Sequence, residues 1–142
     1  MKLISHRGNI AGKQPGLENM PEYIKDTLEK GYDVEIDVWW KGGFLLGHDE
    51  PMYGVDLEFL KNEKLWCHAK NIEALHEMQK NGVHCFWHQQ DDVTLTSRGY
   101  LWTYPGKKLT PSSIWVKPPT DAVITQDIIG VCSDDLRNFY KN

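Results

Sequence analysis

A chain of 142 residues, 40% of them hydrophobic and 25% charged, is long enough to bury a sizeable core, which excludes a disordered protein. Sixteen basic against 20 acidic residues leave a net charge of -4, so there is no basic footprint for nucleic acid, and an anionic ligand would have to be held by individual arginines and lysines. The longest apolar runs, such as 43–47 and 128–132, fall far short of the roughly 20 residues needed to span a bilayer, and no stable membrane insertion is expected.

Met1-Lys2 leads straight into the β-rich run Lys2–Ser5, with no long apolar segment or small-residue cleavage site, so a cytoplasmic protein is expected. The spacing then predicts a helix over Met20–Lys30. Asn19 is placed to cap it, Pro21 suits the first turn, Met20, Ile24 and Leu28 share a face, and Gly31 ends it. Further strands are expected at Asp33–Trp40, Phe44–Gly47 and Leu65–Ala69, with a short helix over Asp56–Lys61 between the last two.

A second long helix starts at Asn71 as N-cap, places Ile72, Leu75 and Met78 on one face, and stops at Gly82. Strands follow at Val83–Trp87, Tyr100–Thr103, Ser113–Val116 and Gly130–Cys132, with Val93–Thr96 and Tyr100–Thr103 alternatively forming a hairpin around Arg98-Gly99. Strand and helix alternate in the first half, and the strands are apolar on both faces, which indicates a parallel sheet covered by helices.

In the second half, Pro105, Pro111, Pro118 and Pro119 stand where crossover helices would have to lie. A parallel barrel with a helix after every strand takes about 250 residues, so a closed barrel here must have lost helices on one side; an open or partly closed sheet fits the same pattern. No repeat or linker divides the chain, and residues 1–142 read as one domain. Cys67, Cys85 and Cys132 are odd in number and set in apolar runs, which predicts reduced, buried thiols.

Polar residues gather at strand ends: His6-Arg7-Gly8, Glu35 and Asp37, His48-Asp49, His68 and Lys70, and His88. In a parallel sheet such ends converge on one face. Glu35 and Asp37 are two apart on a strand and point the same way, opposite to Val34, Ile36 and Val38. Two inward carboxylates need compensation, either from a divalent cation such as magnesium, calcium or manganese or from a salt bridge to Arg7 or Lys70.

His6 and His48 have the chemistry of an acid–base pair, against a structural role for each. Arg7 offers a planar fork for phosphate oxygens. His88 is a further ligand or substrate contact, and Trp102 is a pocket wall for an alcohol or sugar against a core role. Lys117 is a phosphate contact or a solvated lysine. His76 reads as solvent-facing and His84 as structural.

Four stretches together, Ile4-Ser5-His6-Arg7-Gly8-Asn9, Leu17-Glu18-Asn19-Met20, Val34-Glu35-Ile36-Asp37-Val38 and Gly47-His48-Asp49, resemble in order and approximate spacing the glycerophosphodiester phosphodiesterase family. That family belongs to the phosphatidylinositol-phospholipase-C-like barrels, and this chain would be an unusually short member. The match is specific over Lys2–Pro51, about a third of the chain, while Gly130–Asp134 resembles the family's closing strand more weakly.

The resemblance implies an α/β fold: a reduced TIM-type parallel β/α barrel of about seven or eight short strands with several outer helices missing. It implies hydrolysis of a small phosphodiester, with His6 and His48 as acid and base, Glu35 and Asp37 as metal ligands, and Arg7 on the phosphate. At Leu65–Lys70 the family carries a third metal-binding glutamate where this chain has His68, while Lys70 matches a family lysine that contacts phosphate. Magnesium or calcium is implied by the family, and manganese or zinc by the imidazole.

Two other functions fit the same residues. One is a non-catalytic phosphodiester-binding module on a degenerate barrel; the other is a phospholipase-like lyase that releases a cyclic phosphate. Exposed strand edges in a reduced barrel need cover, for which a homodimer is the expected means.

Overall fold

Alternation of apolar and acidic residues makes Asp33–Trp40 (β2) the strand on which the rest is built. Val34, Ile36 and Val38 are fully buried on one of its faces, and Glu35 and Asp37 are buried on the other. The computed structural model describes residues 1–139. Before β2 come β1 (Lys2–His6) and the helix α1 (Pro21–Glu29). After it come β3 (Phe44–Leu46), β4 (Tyr53–Val55), α2 (Leu57–Leu60), β5 (Leu65–Ala69), α3 (Ile72–Lys80), β6 (Cys85–Phe86), β7 (Val93–Leu95), β8 (Leu101–Thr103), β9 (Ser113–Val116) and β10 (Gly130–Ser133).

The reduced TIM-type parallel barrel is not what forms. The ten strands join one mixed sheet, and the described residues contain only three helices, of nine, four and nine residues. Neighbours β6, β5, β2, β1, β10, β9 and β8 are parallel in that spatial order, but β3 runs antiparallel on the end of β2, β4 on β3, and β7 on β8. The hairpin alternative for Val93–Thr103 is therefore the one adopted. What overturns the barrel is the antiparallel pairing of β3, β4 and β7; no helix follows β8 or β9, as Pro105, Pro111, Pro118 and Pro119 led one to expect.

One face of β2 and β5 packs on the helices. Ile24 of α1 and Ala74 and Met78 of α3 share a cluster with Val34, Ile36, Val38, Leu65 and Cys67. The opposite face is concave. Ile4, Trp66, Phe86, Trp102, Ile114, Val116 and Cys132 form one cluster although they come from six different strands. The rings of Phe86 and Trp102 lie 4.9 Å apart, yet β6 and β8 stand at opposite ends of the parallel run, so the sheet must curl strongly. Ser97 N donates to Cys85 O at 2.9 Å across that gap.

Two expectations at helix ends need correction. Asn19 does not cap α1: Met20 occupies the cap position without a side-chain bond, and Asn19 is drawn away by Asp37. Ile72 does not join the core face of α3, being 60% exposed, while Ala74 takes that place beside Met78. Asn71 caps α3 as expected, accepting from Ala74 N, and its amide also brackets the N–H and C=O of Trp40. Gly82 has a φ of +73°, the left-handed conformation anticipated beyond the helix end.

The three cysteines are free and buried. His76 is exposed, and His84 is buried and bonded to Thr96 Oγ1 at 2.7 Å. No helix among the described residues is long and apolar enough to cross a membrane.

Candidate active site

β1 ends at His6, and the chain then enters the left-handed region at Arg7 (φ 61°) and Gly8 (φ 101°). A side chain at position 8 would collide with the Tyr23 ring, so both the backbone angle and the close approach of α1 require glycine there. Thr27 of α1 donates to Gly8 O at 2.7 Å and locks the turn. Arg7 is thereby folded over the end of β2, its N–H bonded to Glu35 O at 2.8 Å.

The Arg7 guanidinium then meets three partners: Nη1 donates to Glu18 Oε1 at 3.0 Å, Nε lies 3.2 Å from Asp37 Oδ2, and Nη2 donates to His48 Nδ1 at 2.6 Å. A guanidinium has no acceptor, so His48 Nδ1 accepts and the ring proton of neutral His48 resides on Nε2. Asn19, itself left-handed at φ 66°, donates its amide to Asp37 Oδ2 at 2.9 Å and accepts from Asp37 N at 3.0 Å. The expected salt bridge between Arg7 and Asp37 exists, and it uses only one oxygen of one carboxylate.

Burial would raise the Asp37 pKa, but the His48 and His68 rings, when they carry a proton toward it, and the charge of Arg7 outweigh that and hold it well below the usual carboxylate range. Glu35 goes the other way. Burial first, and then the negative charge of Asp37, push its pKa well above the ordinary value, and Arg7, Lys70 and Lys117 offset this only in part. Glu35 Oε1 is buried and has no hydrogen-bond partner; His6 Nε2 lies 3.8 Å from it.

His6 is held from its other side. Its Nδ1 lies 2.7 Å from Asp134 Oδ1, to which Asn9 Nδ2 also donates at 2.9 Å. Burial opposes ionisation of Asp134, but the hydrogen bond and charge of His6 prevail and lower its pKa to about 2. An ionised Asp134 only accepts, so the neutral His6 ring carries its proton on Nδ1 and presents the Nε2 lone pair to Glu35 and the cleft.

The cleft has a volume of about 410 Å³ and brings together every residue singled out in the sequence: His6, Arg7, Glu35, Asp37, His48, His68, Lys70, His88, Trp102 and Lys117 all line it. A second cleft, of about 320 Å³, adjoins it at Arg7 and His48 and is walled by Glu18, Met52 and Tyr53 among others. Trp102 is 2% exposed and belongs mainly to the concave core, reaching the cleft only as part of its floor. His88 stacks on Tyr104 with ring centroids 3.6 Å apart and donates from Nε2 to Asp91 O at 2.8 Å.

Glu35, Asp37 and His68 each offer one donor atom, and the three atoms lie within 4.8 Å of one another. Glu35 Oε2 and Asp37 Oδ1 face His68 Nδ1 at 3.9 and 3.4 Å, and the other Glu35 oxygen, Oε1, is buried without a hydrogen-bond partner; two carboxylates and an imidazole nitrogen so placed are a donor set that a divalent cation fits. Comparisons with protein-family models, with curated proteins and with solved structures find no match.

Sequence reasoning missed two members of the site. Asp134 was visible only as the end of a weakly marked closing strand, although a carboxylate one residue past a strand end is the same signal that marked His6. Asn19 was assigned to a cap because Asn before Pro at a helix start is the commoner use of that pair.

Proposed function

We propose that the protein is a metal-dependent phosphodiesterase that hydrolyses a small, glycerophosphodiester-like phosphodiester with His6 as base and His48 as acid. The observation that carries the reading is that, on one cleft, His6 Nδ1 is bonded to a carboxylate and His48 Nδ1 to a guanidinium, which gives the two neutral rings opposite tautomers. His6 is protonated on Nδ1 by its bond to Asp134 and has a free Nε2. His48 is tied at Nδ1 by Arg7 and has its proton on Nε2. One ring is ready to take a proton and the other to give one.

In this reading Arg7, at the junction of the two clefts, binds the phosphate, and the two alcohols of the diester extend one into each cleft. A substrate hydroxyl next to the phosphate loses its proton to His6 Nε2 as its oxygen bonds to phosphorus. The bond from phosphorus to the leaving oxygen breaks, and that oxygen takes the proton from His48 Nε2. The cyclic phosphate is then opened by water with the two histidines in exchanged roles. Lys70, at the end of β5, supports the charge on the phosphate oxygens.

A divalent cation held by Glu35, Asp37 and His68 would supply Lewis-acid polarisation of a phosphoryl oxygen. The resemblance of the His6–Asn9, Leu17–Met20, Val34–Val38 and Gly47–Asp49 stretches to the glycerophosphodiester phosphodiesterases supports the substrate class. Three reduced, buried thiols support a cytoplasmic setting.

The test is hydrolysis of an aryl phosphodiester and of glycerophosphodiesters by protein stripped with EDTA and resupplied with single divalent cations. Turnover that returns with the cation and disappears in His6→Ala and His48→Ala is the expected result. A folded protein that binds these diesters without turning them over, with every cation tried, is a binding module instead. Accumulation of a cyclic phosphate as final product makes it a lyase.

A further inference from the structure

We infer that the Glu35–Asp37–His68 cluster selects a first-row transition cation, such as manganese, iron, cobalt or zinc, over magnesium and calcium, with His68 Nδ1 as the deciding ligand. This rests on the metal-dependent reading above and deepens it. The argument begins at the other nitrogen of the ring. His68 Nε2 lies 3.2 Å from the backbone oxygen of His88, an atom that only accepts, so Nε2 bears the proton.

In the neutral ring the Nδ1 lone pair then faces Asp37 Oδ1 at 3.4 Å and Glu35 Oε2 at 3.9 Å. With the ring neutral this sets acceptor against acceptor in a buried place, and either a second proton on the ring or a cation between the three atoms turns the contact into an attraction. The arrangement is the one metal-binding histidines use, since an N–H given to a carbonyl sets the tautomer and raises the basicity of the ligating nitrogen. The ring is also held flat against Phe86, with centroids 5.2 Å apart and planes within 10° of parallel.

Two further observations point to a ligand. Glu35 is 3% exposed, and its Oε1 finds no donor anywhere in the surrounding protein. Asp37 Oδ2 is committed to Arg7 and Asn19, which leaves Oδ1 turned toward His68.

The donor set decides the class of ion. Calcium takes six to eight oxygens, and magnesium sheds its waters reluctantly for an octahedral shell of oxygens. One imidazole with two carboxylates offers less negative charge than three carboxylates would, and a nitrogen that manganese, iron, cobalt and zinc bind more strongly.

Direct binding to the purified, EDTA-stripped full chain tests this, by calorimetry with manganese, cobalt, zinc, magnesium and calcium salts. The visible spectrum of the cobalt form and the nitrogen hyperfine coupling of the manganese form report the ligand. Zinc and cobalt are expected to bind at least about 100-fold more tightly than magnesium or calcium, in the usual order of transition-metal affinity. His68→Ala should cost zinc and cobalt at least about tenfold in affinity and remove the nitrogen coupling. His68→Glu should move the preference toward magnesium and calcium.

Equal affinity of the wild-type chain for all five cations overturns the selectivity, and so does a cobalt spectrum indifferent to His68→Ala. Either result leaves the metal reading standing if Glu35→Gln still abolishes binding. Failure of a folded wild-type chain to bind any of the five overturns both.

Discussion

His6 Nδ1 and Asp134 Oδ1 stand 2.7 Å apart across 128 residues of chain, which joins the end of the first strand to the end of the last. The bond assigns the proton of His6 to the side away from the cleft. Asp134→Asn keeps the shape but can offer an amide N–H where the carboxylate accepted, which inverts the tautomer. A fall in kcat of about 100-fold is expected, within the range for a misplaced general base, with KM little changed. An unchanged kcat in the folded variant would reduce Asp134 to a structural role.

Asn19 and Asp37 form a second long-range pair, with two hydrogen bonds between residues that are both 1% exposed. Asn19→Ala leaves the buried carboxylate with one hydrogen-bond donor fewer, beside His48, His68 and Arg7, and forces a left-handed φ on alanine. A loss of about 3 kcal/mol is expected, most of it from the missing bond to the carboxylate and the buried Asp37 N–H left without its acceptor. Urea unfolding measures it, and Asn19→Gly, which relieves only the backbone part, should recover less than half.

These two pairs mark the boundary of what local sequence reveals. β2 was legible because its alternation is confined to consecutive residues, and α3 because Asn71 and Gly82 bracket it within one short stretch. All ten residues expected in the site line the cleft: His6, Arg7, His68, Lys70, His88 and Lys117 sit at or near the ends of parallel strands, which converge, while Glu35, Asp37 and Trp102 lie within strands on the concave face and His48 follows the antiparallel β3.

The antiparallel additions left weaker traces. β4 is three residues containing a glycine, Tyr53-Gly54-Val55, too short for a period to show, and it exists because β3 offers it an edge. The direction of β7 depends on the tight turn at Gly99, a feature as compatible with a hairpin as with a loop. Ile72 was placed in the core by spacing alone, yet the face of α3 that meets the sheet is the one carrying Ala74 and Met78. Partners such as Asp134 have no periodic signature at all, since their spacing is set by the closure of the sheet.

Glu35 sets function against stability. It is buried beside a second carboxylate, with one oxygen unbonded and its pKa pushed well up by burial and by Asp37. Glu35→Gln keeps the shape and removes the charge, so in EDTA the variant should be more stable than the wild type by about 1–2 kcal/mol. The same substitution should abolish cation binding. Thermal unfolding with EDTA and with added cation separates the two effects, since the wild type alone should gain from the cation. A variant less stable than the wild type in EDTA would mean that Glu35 is compensated in a way the geometry does not reveal.

His84 supplies the pH dependence that can be assigned to one group. Its ring lies 4.5 Å from that of Trp66 and accepts or donates only to Thr96 Oγ1, and burial first, then the charges of Arg98 and Lys2, lower its pKa to about 4. In the unfolded chain the group titrates near 6.5, so between about pH 6.5 and 4 the unfolded state binds more protons. The stability His84 confers is therefore complete above that window and is lost as the pH falls through it. The loss amounts to about 3 kcal/mol for a shift of this size. Glu35, with its raised pKa, contributes a slope of the opposite sign, so the readout is the difference between the wild type and His84→Gln in urea unfolding free energy from pH 7 to 4. That difference should change steadily in favour of His84→Gln as the pH falls; a difference that stays constant would mean that the buried imidazole is charged in the folded protein as readily as in the unfolded one.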